Sequence, residues 1–201
     1  MPKSTILSQT SKMPCKSISL DARLCITGAK LAEIPGTTCF KCYALGGRYR
    51  MNNVRAAMAR RLAFMTGPNF IDQMVQEIQT HETSGYFRWF DSGDVQSVQM
   101  ALDILEVCKQ TPDVKHWIPS RESGIWADAL AHVALPDNVT LRMSATKLDH
   151  NPSDQWPNTS TVHKDADPIG TACVAPTQGN KCHTCRACWD RDIKNISYSF
   201  H

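Results

Sequence analysis

The chain has 201 residues, of which 42% are hydrophobic and 20% charged, with a formal net charge of +3. That length suits one well-packed domain, the composition excludes a disordered chain, and so weak a charge gives no bulk argument for a nucleic-acid binder. No apolar run approaches the roughly 20 residues needed to cross a bilayer, and the opening MPKSTILSQTSKMPC lacks the apolar core of a secretory signal. The expectation is a cytoplasmic protein with no membrane partner.

Nine cysteines in a reducing setting, an odd number, make a poor disulfide framework. Eight of them fall into two terminal groups, Cys15, Cys25, Cys39 and Cys42, then Cys173, Cys182, Cys185 and Cys188. Cys108 stands apart. It shares a helical face with Ala101, Ile104 and Leu105 and reads as a small buried apolar residue.

Taken in order, residues 1–14 are polar and read as irregular. From Cys15 to Cys42 the chain shows turn signals at Gly28, Pro35 and Gly36 but little periodicity, apart from a short extended piece around Ser17–Leu20. So long a loop needs something to pin it, and metal ligation by Cys25, Cys39 and Cys42 would do so. Met51, Val54, Met58, Leu62 and Met65 then repeat at helical spacing and predict a helix over 52–65, ended by Gly67-Pro68. Arg48, Arg50, Arg55, Arg60 and Arg61 lie around this helix without forming one basic face, so they read as solvated or paired, with phosphate contact as the alternative.

A second helix fits 69–82. From there strands at 86–91, 114–120, 138–144 and, more weakly, 160–164 alternate with helices at 96–109 and around Ile125–Val133. Alternation of this kind is the signature of βα units and a parallel sheet. The predicted fold class is α/β, an open or partial (β/α) barrel with cysteine-rich loops at the carboxyl ends of its strands. It forms a single domain over 1–201, divided into a cysteine-rich segment 1–45, βα units 46–165 and a cysteine-rich segment 166–201.

In such sheets ligands bind where the strands end. The residues following the predicted strands are polar in each case: Asp91-Ser92-Gly93-Asp94, Ser120-Arg121-Glu122, Ser144-Ala145-Thr146-Lys147 and His163-Lys164-Asp165. Asp91, Ser92, Asp94, Arg121, Thr146 and Lys147 are the candidate substrate-binding residues. Asp91 and Asp94 could act as paired carboxylates for a cation or amine, with helix capping by Asp94 as the plainer reading. Arg121 could hold a carboxylate or phosphate by a two-pronged contact.

The closing cysteine loop carries the strongest motif. Cys182, Cys185 and Cys188 form a C-x2-C-x2-C run with Cys173 nine residues upstream, a spacing that supplies thiolates to iron–sulfur sites. Zinc more often takes two separated C-x2-C pairs. The candidate metal ligands are Cys25, Cys39, Cys42, Cys173, Cys182, Cys185 and Cys188. They would hold one [4Fe–4S] cluster or two, with zinc as the alternative. For a single cluster, Cys173, Cys182, Cys185 and Cys188 are the simplest set, and a mixed set with Cys39 and Cys42 competes with it.

A cysteine-rich N-terminal loop ending in Cys39-Phe40-Lys41-Cys42-Tyr43-Ala44, followed by βα units with a polar rim, resembles the radical S-adenosylmethionine proteins. The closing loop resembles the auxiliary-cluster extensions some of them carry. The spacing differs from their usual C-x3-C-x2-C, since thirteen residues separate Cys25 from Cys39. The string CFKCYALGGRY with FDSGD downstream is also similar to a group of largely uncharacterised phage-encoded gene products, which would place the chain in a host cytoplasm. The resemblance implies an iron–sulfur cluster and S-adenosylmethionine as a possible cofactor. It points to radical or redox chemistry on a small molecule or nucleotide. The alternative is a metal-stapled, non-catalytic module that binds nucleic acid or a host protein.

Overall fold

In the computed structural model, residue 4 and residues 6–200 are described. Residues 1–3 and 5, part of the stretch read as irregular, lie outside the described residues. The remainder of that stretch is not wholly irregular. It contains a two-residue strand, β1 (Ser8–Gln9), ahead of β2 (Lys16–Ile18).

The other elements, in order, are α1 (Ile26–Leu31), α2 (Asn52–Met65), α3 (Phe70–His81), β3 (Tyr86–Trp89) and α4 (Val98–Gln110). They continue with β4 (Lys115–Ser120), α5 (Ser123–Leu130), β5 (Val139–Ser144), β6 (Thr159–His163), β7 (Thr171–Ala172) and β8 (Asn195–Ser199). One mixed sheet of eight strands runs β1-β2-β3-β4-β5-β6-β8-β7. Only β1 runs antiparallel to its neighbour; the other six pairings are parallel. The sheet does not close on itself, since β1 and β7 each have one partner.

Alternation along the strands separates two faces. Phe87, His116 and Val139 stand in one register row, and Ile118 and Leu141 in another. These side chains join Met74 and Ile78 of α3, Ile104 and Leu105 of α4 and Trp126 of α5 in the larger apolar core. Each side chain of this size removed from water contributes about 2 kcal/mol, which is why α3, α4 and α5 stay on this face. The neighbouring row, Ser17–Arg88–Trp117–Thr140, points the other way. There Met13, Cys15, Trp117 and Trp189 form a second, smaller core with Tyr86, Cys182, Cys188 and Tyr198 against it. The cysteine-rich loop before β8 is therefore the cover of one sheet face.

Two local features place the strand ends. His116 is fully buried, with Trp89 Nε1 donating to its Nδ1 at 3.2 Å and its Nε2 2.9 Å from Thr111 Oγ1. The turn after β3 needs a glycine: Gly93 has φ +76, and a Cβ there would fall 2.7 Å from the Leu20 carbonyl oxygen. That close approach locks the turn of 91–94 onto the chain following β2, where Leu20 N donates to Ser92 O at 2.9 Å.

Candidate metal and ligand sites

The chain from Cys25 to Tyr43 is pinned to the ends of three strands. Thr27 donates from both its backbone N–H and its hydroxyl to the Glu122 carboxylate, at 2.8 and 2.7 Å, just past β4. Thr38 donates to Thr146 O at 3.0 Å and, through its hydroxyl, to Ala145 O at 2.9 Å, just past β5. Thr37 and Lys147 form an isolated antiparallel bridge beside them. The Tyr43 hydroxyl donates to the Asp91 carbonyl past β3. Hydrogen bonds therefore contribute to the pinning for which metal ligation by Cys25, Cys39 and Cys42 is the expectation.

This anchoring gathers Cys25, Cys39 and Cys42. A Cβ on Gly28 would lie 3.0 Å from Cys25 Cβ and 3.6 Å from the sulfurs of both Cys25 and Cys39. Two sulfurs within 3.6 Å of one point are less than twice that distance apart. Between Cys39 and Cys42 the chain makes a tight turn, Cys42 N donating to Cys39 O at 2.9 Å, with Lys41 held at φ +57. The other knuckle repeats the device: Cys185 N donates to Cys182 O at 2.8 Å, and His183 sits at φ +43. A non-glycine residue at positive φ costs about 1 kcal/mol or more, and such strain concentrates at ligand clamps. Burial, then the neighbouring Asp94 and the other two thiols, pushes the Cys25 thiol up to about 12. Burial also raises Cys39, and the Arg121 guanidinium opposes that shift.

The C-terminal thiols lie on the other core. Cys182 N donates to Lys12 O at 2.8 Å and Cys173 N to Ser197 O at 2.8 Å. Cys188 Sγ stands 3.2 Å from the Tyr198 hydroxyl. Cys182 lies near Cys173 and Cys185, Cys188 lies near Cys173, and Cys15 shares the smaller core with Cys182 and Cys188. Burial pushes Cys188 up to about 11 and Cys15 up to about 12. Cys15 has no knuckle spacing, and its packing with Cys182 and Cys188 in the smaller core shows its place beside the closing loop.

Arg142 is the residue that the sequence reading missed and that organises this face. It is 0% exposed, in the middle of β5. Its Nε donates to Cys188 O at 3.0 Å, Nη1 to Ile193 O at 2.8 Å, and Nη2 to Ala187 O at 3.0 Å and Asp190 O at 2.6 Å. All these acceptors are neutral carbonyls of the cysteine loop, and among the described residues Arg142 forms no ion pair. Burial lowers its pKa, with Tyr198 and the Cys188 thiol foremost among the groups that act to hold its charge. Arg88 adds a second guanidinium, 4.5 Å above the Trp117 ring and 3.6 Å from Met13 Sδ. The signal was available, since an arginine inside an apolar parallel strand is unusual.

The candidate substrate residues divide. Asp94 is fully engaged, accepting from Ser120 Oγ at 2.6 Å, Arg121 N at 2.7 Å and Val95 N at 2.8 Å, and burial pushes it up to about 6. The Ser92 hydroxyl donates to Leu20 O. Both hold the fold together. Asp91 is raised by burial, with Arg88 and Arg61 opposing, and its Oδ1 has no hydrogen-bond partner among the described residues. Arg121, Thr146 and Lys147 line one cavity of about 340 Å³ with His150 and Trp156. Arg61 is taken up internally, donating to Ile6 O, Ser19 Oγ and Ser8 Oγ at 2.6–2.7 Å.

Among the described residues, no three His, Cys, Asp or Glu side chains are placed to hold a metal ion. No helix among the described residues is long and apolar enough to cross a membrane. No curated protein and no solved structure matches the chain, so the resemblance to radical S-adenosylmethionine proteins has no counterpart in these comparisons. The family described as Gene product 88 matches residues 3–191, a span that takes in both knuckles, Arg142 and the cavity. The chain therefore belongs to the Gene product 88 family of phage proteins.

Proposed function

We propose that the protein is an iron–sulfur enzyme that works on a small molecule held at the carboxyl ends of its strands, in a sheet curved as a partial barrel. The observation that carries this reading is Arg142. A buried guanidinium with only carbonyl partners is a charge in want of an anion. The groups that act on it are the Tyr198 hydroxyl, the Cys188 thiol, which burial keeps protonated at neutral pH while it remains unligated, and, least of the three, Asp190, which forms no ion pair with it. Ligation to a metal deprotonates a thiol, so a cluster on Cys173, Cys182, Cys185 and Cys188 would supply the missing negative charge, with Arg88 balancing it from the other side.

The thiols do not surround a single ion as they stand. Zinc, with sulfurs about 2.3 Å from the metal, would need them roughly 4 Å apart, whereas a cluster takes each thiolate on a separate iron and tolerates a wider set. Metal binding is coupled to folding, and the strained knuckles at Lys41 and His183 are where the loops would close. Cys25, Cys39 and Cys42 form a group of three, which would leave one iron of a second cluster free for an outside ligand. That is the place S-adenosylmethionine would take if the resemblance extends to the chemistry. When bound, such clusters pass single electrons to and from a neighbouring molecule. The protein's part is to exclude water, with the N-terminal segment laid over the strand ends, and to orient the substrate through Arg121 and Lys147.

Anaerobic purification tests this reading. Brown protein with iron and acid-labile sulfide is the expected result, and colourless protein whose thiols stay free after reconstitution with iron and sulfide would end it. S-adenosylmethionine binding, with cleavage under strong reductant, then decides between radical and plain redox chemistry. A second reading, a metal-stapled module that docks a host protein, draws on six exposed apolar side chains between residues 24 and 51, namely Leu24, Ile26, Ile34, Tyr43, Leu45 and Met51. It predicts stoichiometric zinc and no colour.

A further inference from the structure

The cavity beside the N-terminal thiols has a one-sided charge. Arg121, Lys147 and His150 line it, and no aspartate or glutamate does. Among the described residues neither Arg121 nor Lys147 takes part in an ion pair. Arg121 is held in place from behind: its backbone N–H donates to Asp94 and its Nε to Thr38 Oγ1 at 3.1 Å, while its two terminal nitrogens have no acceptor among the described residues. The α5 helix starts at this wall with Ser123, which also lines the cavity. No side chain caps that end, because the Glu122 carboxylate is turned away to Thr27. Free N–H groups at a helix start, a forked guanidinium and an ammonium together match the three oxygens of a phosphate better than the two of a carboxylate.

The same lining includes one flat apolar side chain, Trp156, which also packs against the larger core. Trp89, Trp117, Trp126 and Trp189 are all at most 5% exposed, whereas Trp156 is only half-buried and faces the cavity. A volume of about 340 Å³ is at the small end for ligand pockets and large enough for one nucleotide. The geometry points to a phosphate ester of a flat-ringed compound, in its simplest form a nucleoside monophosphate, as the molecule that this cavity takes. Arg121, Lys147 and the start of α5 hold the phosphate, and Trp156 stacks on the ring. The inference rests on the proposed function in taking this cavity as the substrate chamber, and it does not depend on the metal.

Tryptophan fluorescence of the full chain, metal-free and iron-loaded, is titrated with nucleoside monophosphates, the parent nucleosides, inorganic phosphate and a 5′-phosphorylated single-stranded oligonucleotide. A monophosphate is expected to quench Trp156 and to bind at least ten times more tightly than its nucleoside or inorganic phosphate. Lys147→Ala, at an exposed position that should fold normally, is expected to weaken binding at least tenfold. Trp156→Phe should abolish the quench while calorimetry still detects binding. Equal binding of nucleoside and monophosphate, an unaffected Lys147→Ala, or binding of the oligonucleotide alone would each overturn the inference, the last in favour of nucleic acid. Nucleotide binding by protein that takes up no iron would sink the cluster and keep this site. Iron uptake without nucleotide binding would do the reverse.

Discussion

Replacing Arg142 by methionine separates the two roles this residue has been given. Methionine keeps much of the stem and removes the charge, leaving the carbonyls of Ala187, Cys188, Asp190 and Ile193 without their donor. Each buried carbonyl left without a donor costs about 1–3 kcal/mol, and this part falls on the protein whether or not iron is bound. The second part appears only with metal. A guanidinium within several ångströms of one unit of negative charge, at an effective dielectric of about 20, gains roughly 3 kcal/mol. That is about a hundredfold in metal retention. The control is Thr140→Val, which removes a neutral hydrogen bond to the same loop, from Thr140 Oγ1 to Trp189 O at 2.8 Å, and costs about 1 kcal/mol. Urea unfolding of the thiol form gives the structural part for each variant, and chelator competition under anaerobic conditions gives iron retention. Arg142→Met should lose iron at chelator concentrations roughly a hundredfold lower, beyond anything its unfolding predicts, and Thr140→Val should not. If the two variants lose iron in proportion to their lost stability, the charge argument is wrong.

The pH dependence of the thiol form sets two buried groups against each other. Burial pushes His116 down to about 3 from an ordinary 6.5, so its contribution is complete above 6.5 and is lost as the pH falls through that window, where the unfolded chain takes up the proton. Asp94, raised from 3.8 to about 6 by burial, has the opposite sign: its contribution is present below about pH 4 and is lost as the pH rises to 6. Between about pH 4 and 6 each group changes the slope by one proton in opposite directions, so urea midpoints should be nearly flat there and rise only above 6, and Asp94→Asn should turn the whole stretch from 4 to 6.5 into a rise. A flatter profile in the variant would contradict these assignments. Gly28→Ala, whose new Cβ presses on Cys25 Cβ at 3.0 Å and reaches both sulfurs at 3.6 Å, should leave the thermal midpoint of the thiol form within a few degrees of the parent while lowering iron bound per chain. Iron content equal to the parent's would show that the N-terminal thiols hold none.

Much of the scaffold could be read from periodicity. The helix expected over 52–65 is α2, and the strands expected after residues 86, 114, 138 and 160 are β3 to β6. These are elements whose pattern is repeated over several turns or alternations. What escaped is short or set by distant contacts. α1 has six residues and no buried apolar stripe, β1 and β7 have two residues each, and β8 (Asn195–Ser199) has only Ile196 and Tyr198 as apolar residues while its buried Asn195 and Ser197 are polar. The knuckles were legible as spacing, and their strained turns were not. Of the candidate substrate residues, Arg121, Thr146 and Lys147 do share a cavity, whereas Asp94 and Ser92 are consumed by hydrogen bonds between neighbouring turns. A polar residue after a strand has equal reason to do either, and sequence carries no information on which bond is made.

The path of the chain around β8 has a consequence for how metal would be captured. β7 precedes the cysteine loop and β8 follows it, yet the two lie side by side, with Thr171 opposite Ile196. The loop is an excursion that leaves one edge of the sheet and returns to it, tied at both ends by ladder hydrogen bonds. Closing a loop of this length costs a few kcal/mol of chain entropy, and here strand pairing meets that cost before any ion arrives. Metal would meet sulfurs already confined to a small volume, so each successive thiolate would bind as an intramolecular partner at high effective concentration. A chain cut within the loop, with every cysteine intact, would forfeit that advantage.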